Sequence, residues 1–212
     1  MRIAVYSGSF DPLHIGHQAI MEYLTHDSGF DWVYLVISPQ NPFKDPSKAD
    51  SAERRYRAAI DAVRRHPELH VWVDNIELSM DPPHYTIRTL DALRRREPQN
   101  EFTLVVGADN LASMMRWRDA ARILTEYGVA VYPRRGFDVD RIRDILYAEM
   151  LAIPSSYALD AASTHDTPGT LGFEDSDNLF KIEIIDAPIV DISSTRIREG
   201  IAAGEDMSEW MM

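Results

Sequence analysis

The feature that most constrains this chain is an alternation of short apolar, β-branched runs with stretches of helical spacing. Arg2–Tyr6 (RIAVY) is an apolar run that stops at a glycine turn, and Ile15–Thr25 follows with Ile15, Ala19, Ile20, Tyr23 and Leu24 on one side. Trp32–Ile37, Leu69–Val73, Phe102–Val106 and Val129–Tyr132 read as strands, with Ile182–Ile185 and Ile189–Ile192 as shorter strand-like pieces. Ser51–Arg65, His84–Arg96, most of Leu111–Tyr127, Asp138–Met150 and Thr195–Ala203 read as helices. Strands separated by helices of this length mean βαβ units. The expected fold is therefore α/β, a doubly wound parallel sheet with helices on both faces. Ligands of such sheets gather at the carboxyl ends of the strands. That puts Ser7–His17, Ser38–Lys44, Gly107–Asn110 and Pro133–Gly136 on one rim.

Pro154–Asn178 breaks the alternation. It is rich in Ser, Thr, Asp and Gly, lacks Lys and Arg, and shows no period. It reads as a flexible insertion at 154–178 within one domain spanning 1–212. Lys and Arg number 22 against 34 Asp and Glu, a net charge of −12. Sequence-general nucleic-acid binding needs a basic surface and is not expected, so phosphates have to be met by locally placed cations and backbone amides. Cysteine is absent, which excludes disulfides, thiolate catalysis and cysteine-held zinc. No run approaches the ~18 apolar residues of a membrane span. The apolar stretch before Gly8 is too short for a signal-peptide core. A cytoplasmic protein without a membrane partner is expected.

The standard phosphate loops, G-x-x-x-x-G-K-[ST] and G-x-G-x-x-G, do not occur, and neither does H-E-x-x-H or G-x-S-x-G. What remains is the first strand–helix turn, SGSFDPLHIGH (Ser7–His17). Gly8 lets backbone approach a ligand without a Cβ, and Asp11-Pro12 sets a turn before the helix. A helix N-terminus presents unpaired amides and a positive dipole end. His14 and His17 are three residues apart, so both imidazoles fit one face of that first turn and suit a polyphosphate. The pair lacks an evident third ligand, so no protein-held metal is expected. ISSTRIRE (Ile192–Glu199) is the second piece. Ser193, Ser194 or Thr195 can cap its helix. Arg196 and Arg198 near that N-terminus oppose the dipole unless they face phosphates.

These two pieces do not stand alone. GSFDPLHIGH, PQNPFK (Pro39–Lys44), Glu53-Arg54, ELSMDPPHYTIRTL (Glu77–Leu90), VGADNLASMMRW (Val106–Trp117) and ISSTRIR follow one another in order. Together they resemble the H-x-G-H nucleotidyltransferase superfamily and, within it, the bacterial nicotinate-mononucleotide adenylyltransferase family. The resemblance implies a Rossmann-like fold. It also implies that His14 and His17 contact ATP phosphates, with Lys44 and Arg196 adding charge as the rest of the catalytic set. Gly8, Ser9, Phe10, Gly107, Asp109, Ile192, Ser194 and Thr195 complete the implied ATP site, with Asp109 accepting from ribose hydroxyls. Nicotinate mononucleotide is implied to meet Ser9, Phe10, Lys44, Tyr85, Thr86, Asp109, Trp117 and Arg134. In that set the amides opening the helix at Thr86 face the nicotinate carboxylate, and Trp117 stacks on the pyridine ring. Mg²⁺ is carried by ATP, and the reading is compatible with a homo-oligomer.

The implied chemistry is in-line attack of the mononucleotide phosphate on the ATP α-phosphorus, without a covalent intermediate. A phosphate monoester with a second pKa near ~6 is already ionised at neutral pH, so no general base is required. Alignment and neutralisation of the departing pyrophosphate carry the rate. The chain departs from the family at Asp81–His84 (DPPH), where arginine-x-glycine-x-serine is usual, and at the 154–178 insertion. Phosphopantetheine adenylyltransferases share the GSFDP…GH and S-S-T-x-R signals but not the HYT, GADN and Trp117 segments. The same motifs also admit a nicotinamide-preferring member, an aminoacyl-tRNA synthetase fragment (against which stands the absence of K-M-S-K-S) or a silent nucleotide-binding regulator.

Overall fold

The computed structural model describes residues 1–39, 52–151 and 180–212. The strands are β1 (Arg2–Gly8), β2 (Trp32–Ile37), β3 (Val71–Asp74), β4 (Glu101–Gly107), β5 (Val129–Tyr132) and β6 (Ile182–Ile184). Among the described residues they form one all-parallel sheet in the order β3-β2-β1-β4-β5-β6. β1 lies between β2 (Ile3 opposite Trp32, Gly8 opposite Ile37) and β4 (Tyr6 opposite Val105). The order reverses at β1 and β4, so a crevice opens beyond their carboxyl ends.

Strand alternation builds two cores. β1 turns Ala4 and Tyr6 to one face, where Met21 and Leu24 of α1 (Ile15–His26) and Ala59 and Ala62 of α2 (Ala52–Arg64) pack. Ile3 and Val5 turn to the other face. There they meet Ile87, Leu90 and Leu93 of α3 (Thr86–Arg96), Leu111 of α4 (Ala108–Leu111), Ala120 of α5 (Ala120–Arg122) and Leu146 of α6 (Val139–Leu151). Each fully buried Leu or Ile contributes roughly 1.5–3 kcal/mol. The last helix, α7 (Ser194–Ala202), buries Ile197. No helix among the described residues is long and apolar enough to cross a membrane.

Two expectations need correction, and a third gains detail. Leu111–Tyr127 is mostly helical but interrupted: α4 ends, a 3₁₀ turn covers Met114–Arg116, Trp117 is extended and Asp119 takes φ 53°. α5 then runs into a π-turn, Ile123–Tyr127. Met114, Ala120, Ile123 and Leu124 still face the core, so helical periodicity survives a broken backbone; Asp is one of the few side chains that tolerates the left-handed region. Ile189–Ile192 is not a strand. Pro188 cannot donate to a ladder, and Ile189 is half exposed with no strand beside it among the described residues. His84 lies outside α3, which starts at Thr86 with Tyr85 as its N-cap. Lys44 and the 154–178 insertion lie outside the described residues.

Candidate active site

The crevice is built from the carboxyl ends of β1, β4 and β5 and the N-termini of α1 and α7. Phe10 has φ 44° and is almost fully buried; a bulky residue in that region is held there by its surroundings. Its ring packs edge-on to Tyr6 (5.2 Å) and His17 (5.1 Å). A Cβ on Gly8 would sit 3.0 Å from that ring, so glycine there permits the fold-back.

His14 is the N-cap of α1, and its carbonyl accepts from the amides of His17 (2.8 Å) and Gln18 (3.1 Å). The backbone N–H of His14 donates to His17 Nδ1 at 3.3 Å. That contact fixes the neutral tautomer of His17, with its proton on Nε2. The two imidazoles stack, centroids 3.7 Å apart and 26° from parallel. Gly16 makes this possible: a Cβ there would lie 3.1 Å from two atoms of the His14 ring. Burial, then the field of Arg134, pushes His14 down to about 4. Burial, then His14 and Arg134, lowers His17 well below the ordinary range. The pair is therefore a pair of uncharged imidazoles at neutral pH, not two cations added to the site. His14 Nδ1 is buried and has no hydrogen-bond partner among the described residues.

Arg134 follows β5. Its Nη2 donates to the Tyr132 hydroxyl at 3.1 Å, its guanidinium lies 5.2 Å from the Tyr132 ring centre, and its Nε is 3.6 Å from Asp109 Oδ1. Asp109 stands in the first turn of α4, just after Gly107. A Cβ on Gly107 would meet Asp109 Oδ1 at 2.4 Å and Arg134 Nε at 3.1 Å. On the far side Ser193, not Ser194 or Thr195, caps α7 by accepting from the Arg196 amide at 3.2 Å. Ser194 donates to the Pro12 carbonyl at 3.1 Å, and Ile192 lies 3.4 Å from the Cβ position of Gly16. Thr195 Oγ1 accepts from Arg198, whose other nitrogen donates to the Asp11 carbonyl. Arg196 is paired with Glu205 at 2.6 Å.

The structure thus brings Gly8, Phe10, His14, His17, Gly107, Asp109, Arg134, Ile192, Ser194, Thr195 and Arg196 to one rim. Tyr85 and Thr86, at the start of α3, and Trp117 are not bonded to that set. Their side chains make no hydrogen bond, ion pair or ring contact among the described residues, and Trp117 leans on the core beneath α3–α5. Sequence reasoning missed two supports. Arg55, rather than Arg54, is buried: Nη1 donates to the Ser9 carbonyl (2.6 Å) and Nη2 to the Pro39 carbonyl (3.1 Å), joining two rim loops. The signal was present, since Arg55 falls with Ala59 and Ala62 on the buried stripe of α2. The other is Tyr132, whose ring packs 6.0 Å from Tyr6 and whose hydroxyl accepts from Arg134. Burial, then Tyr132, holds the Tyr6 phenol well above its ordinary value.

A crossing point at β1/β4 with a stacked histidine pair on a helix N-terminus defines a nucleotidyltransferase-type site, and the chain belongs to the cytidylyltransferase-like family, which it matches over residues 5–200. Among curated relatives it is 32% identical over 206 residues to the probable nicotinate-nucleotide adenylyltransferase of Bacteroides fragilis, covering 97% of this chain and 85% of that one. It is 33% identical to the protein of the same name from Porphyromonas gingivalis, covering 100% and 89%. Among solved structures it resembles the Plasmodium falciparum nicotinic acid mononucleotide adenylyltransferase complexed with NaAD. That likeness has a TM-score of 0.69 and 16% identity over 98% of this chain and 87% of that one, and it speaks for the fold.

Proposed function

We propose that this enzyme transfers the adenylyl group of ATP to nicotinate mononucleotide, giving nicotinate adenine dinucleotide and pyrophosphate. The observation that carries the reading is the stacked His14–His17 pair at the start of α1, within the field of Arg134, in a chain about a third identical to nicotinate-nucleotide adenylyltransferases along its length.

A phosphate oxygen of the mononucleotide attacks the α-phosphorus in line, and the P–O bond to pyrophosphate breaks. The nucleophile is already ionised, which fits a rim whose imidazoles are held neutral. His17, its Nδ1 engaged by the His14 amide, offers Nε2–H to the transferring phosphates. Arg134 and Arg196 supply charge for the leaving group, joined by Lys44 from the loop after Pro39. Asp109 exchanges Arg134 for ribose hydroxyls. Mg²⁺ carried by the triphosphate would offset its charge while keeping most of its water. The backbone amides at the start of α3, from Thr86 onward, receive the nicotinate carboxylate, and Trp117 with Tyr85 forms the apolar wall. One domain carries the whole reaction, in the cytoplasm.

The test is pyrophosphate release from Mg-ATP with nicotinate mononucleotide, nicotinamide mononucleotide or phosphopantetheine in parallel. Rapid release with the first alone is expected. Release with phosphopantetheine alone would overturn the substrate reading, and silence with all three would overturn the enzyme reading.

A further inference from the structure

Glu77 lies in the 3₁₀ turn Ile76–Ser79 that follows β3 and is 3% exposed. The proposed chemistry gives it no role, yet it is one of the few charged side chains in the interior of this protein. Its Oε1 accepts the Thr89 hydroxyl of α3 at 2.7 Å and, more weakly, the Ser7 hydroxyl of β1 at 3.4 Å. The Ser38 hydroxyl, just past β2, also favours its charged form. Oε2 is buried without a partner among the described residues. Thr89 is itself 1% exposed.

Each of the three hydroxyls is one step from the rim. Ser7 leads into Gly8, Ser9 and Phe10. Ser38 is tied to the same turn through its amide, which donates to the Gly8 carbonyl at 2.9 Å. Thr89 stands in the opening turns of α3, whose N-cap is Tyr85. A buried carboxyl with a 2.7 Å bond to α3 and a longer one to β1 therefore fixes the height and rotation of the α3 N-terminus relative to β1 and β2. The shorter bond makes α3 the element most dependent on it.

We propose that Glu77 is a positioning residue that sets the discrimination between acid and amide mononucleotides by holding the α3 N-terminus against the β1–β2 rim. This rests on the reading of that N-terminus as the carboxylate-binding end. Backbone amides recognise a carboxylate only when aimed at it, and a tilt of α3 costs the acid substrate more than it costs the amide or ATP. A glutamine at position 77 keeps an oxygen that accepts the same hydroxyls, whereas alanine leaves Thr89 unpaired in the core.

The experiment is steady-state pyrophosphate release by wild type, Glu77→Gln, Glu77→Ala and Thr89→Val. Each mononucleotide and ATP is varied in turn, and thermal unfolding is followed alongside. In Glu77→Ala we expect KM for nicotinate mononucleotide to rise about tenfold and the acid-to-amide ratio of kcat/KM to fall about tenfold, the scale of one hydrogen bond, with KM for ATP within about twofold. Thr89→Val shifts the ratio in the same direction, and Glu77→Gln restores it to within about threefold of wild type. Parallel rises in both KM values, or an unchanged ratio in Glu77→Ala and Thr89→Val, would overturn the proposal. Should Glu77→Ala fail to fold, Thr89→Val decides alone. A wild type indifferent to acid and amide would remove the carboxylate reading of α3 itself. A wild-type preference that persists in the variants would remove only the role of Glu77.

Discussion

Replacing Gly107 by alanine separates binding from folding at this site. Gly107 has φ −77° and ψ 158°, a conformation open to any residue, so the backbone does not object. The side chain does. Its Cβ would stand 2.4 Å from Asp109 Oδ1, closer than real contacts allow, and 3.1 Å from Arg134 Nε and Tyr132 Cζ. The Asp109 carboxylate is 44% exposed and free to swing outward, so the clash is relieved by losing the Asp109–Arg134 pair at 3.6 Å. An exposed pair of this kind is worth about 0–1 kcal/mol, and alanine returns about 0.4–1 kcal/mol by restricting the unfolded chain. Stability should therefore stay within about 1 kcal/mol, or about 4 °C in Tm for a chain of this size. Binding fares differently. A carboxylate bond to ribose hydroxyls is worth roughly 1.5–3 kcal/mol, so Gly107→Ala should raise KM for ATP about tenfold to a hundredfold. Pyrophosphate release with ATP varied, alongside thermal unfolding, reads both quantities. The pair also predicts non-additivity: Asp109→Ala should cost as much as Gly107→Ala, and the double variant little more than either. An unchanged KM, additive losses, or a collapse of Tm would each refute the reasoning.

His17→Ala should lower kcat by about two to three orders of magnitude, the range for losing a preorganised donor; normal single-turnover rates would remove His17 from the chemistry. Phosphates beside neutral imidazoles raise their proton affinity, so Mg-ATP should bind more tightly as pH falls below about 6 towards the His14 value of about 4. Equilibrium titrations of wild type and His14→Asn check this, and an identical slope in the variant would contradict it. The same depressed His14 gives the protein a stability that declines as pH drops from about 6.5 towards about 4. The unfolded chain takes up that proton first, and denaturant midpoints across this window measure the loss. Arg55→Lys cannot span the Ser9 and Pro39 carbonyls, and kcat/KM should fall about tenfold, the cost of one charge-assisted bond. Arg54→Ala, on the exposed side of α2, should leave it within about twofold, and the reverse ranking would show that Arg54 carries the contact.

The sheet was legible because burial on both faces forces apolar runs such as WVYLVI and FTLVV, and their alternation with helices leaves few topologies. The pairing of His14 with His17 was legible because a three-residue spacing puts both rings on one face of the first turn, and the structure stacks them there, with Gly16 leaving the room. The break at Trp117–Asp119 was not legible, since core contacts keep a helical period whether or not the backbone stays helical. Glu77 was equally hidden. Its significance comes from Thr89, Ser7 and Ser38, which meet it across gaps of 12 to 70 residues, and no local pattern records such a meeting. Arg55 sat in view on the buried stripe of α2, but its neighbour Arg54 matched the expected pair by adjacency alone.

A net charge of −12 runs against a site for two polyanions, and the arrangement of pairs at the rim resolves the conflict. Arg134 is held by Asp109, Arg196 by Glu205 and Arg198 by Asp11. The arginine of each pair is 45% exposed or more, so each pair is worth little, about 0–1 kcal/mol. Exchanging such a carboxylate for a phosphate, which binds guanidinium through two strong bonds, is therefore favourable despite the surplus of acid. Beyond about 10 Å that surplus is screened at cellular salt. On the proposed reading, the acidic residues beside these arginines keep long side chains oriented until a phosphate takes their place. They also leave the histidine pair as the part of the rim that needs no exchange. His14 and His17 are neutral, stacked and fixed by the α1 backbone, and on the proposed reading they meet the transferring phosphates as neutral donors.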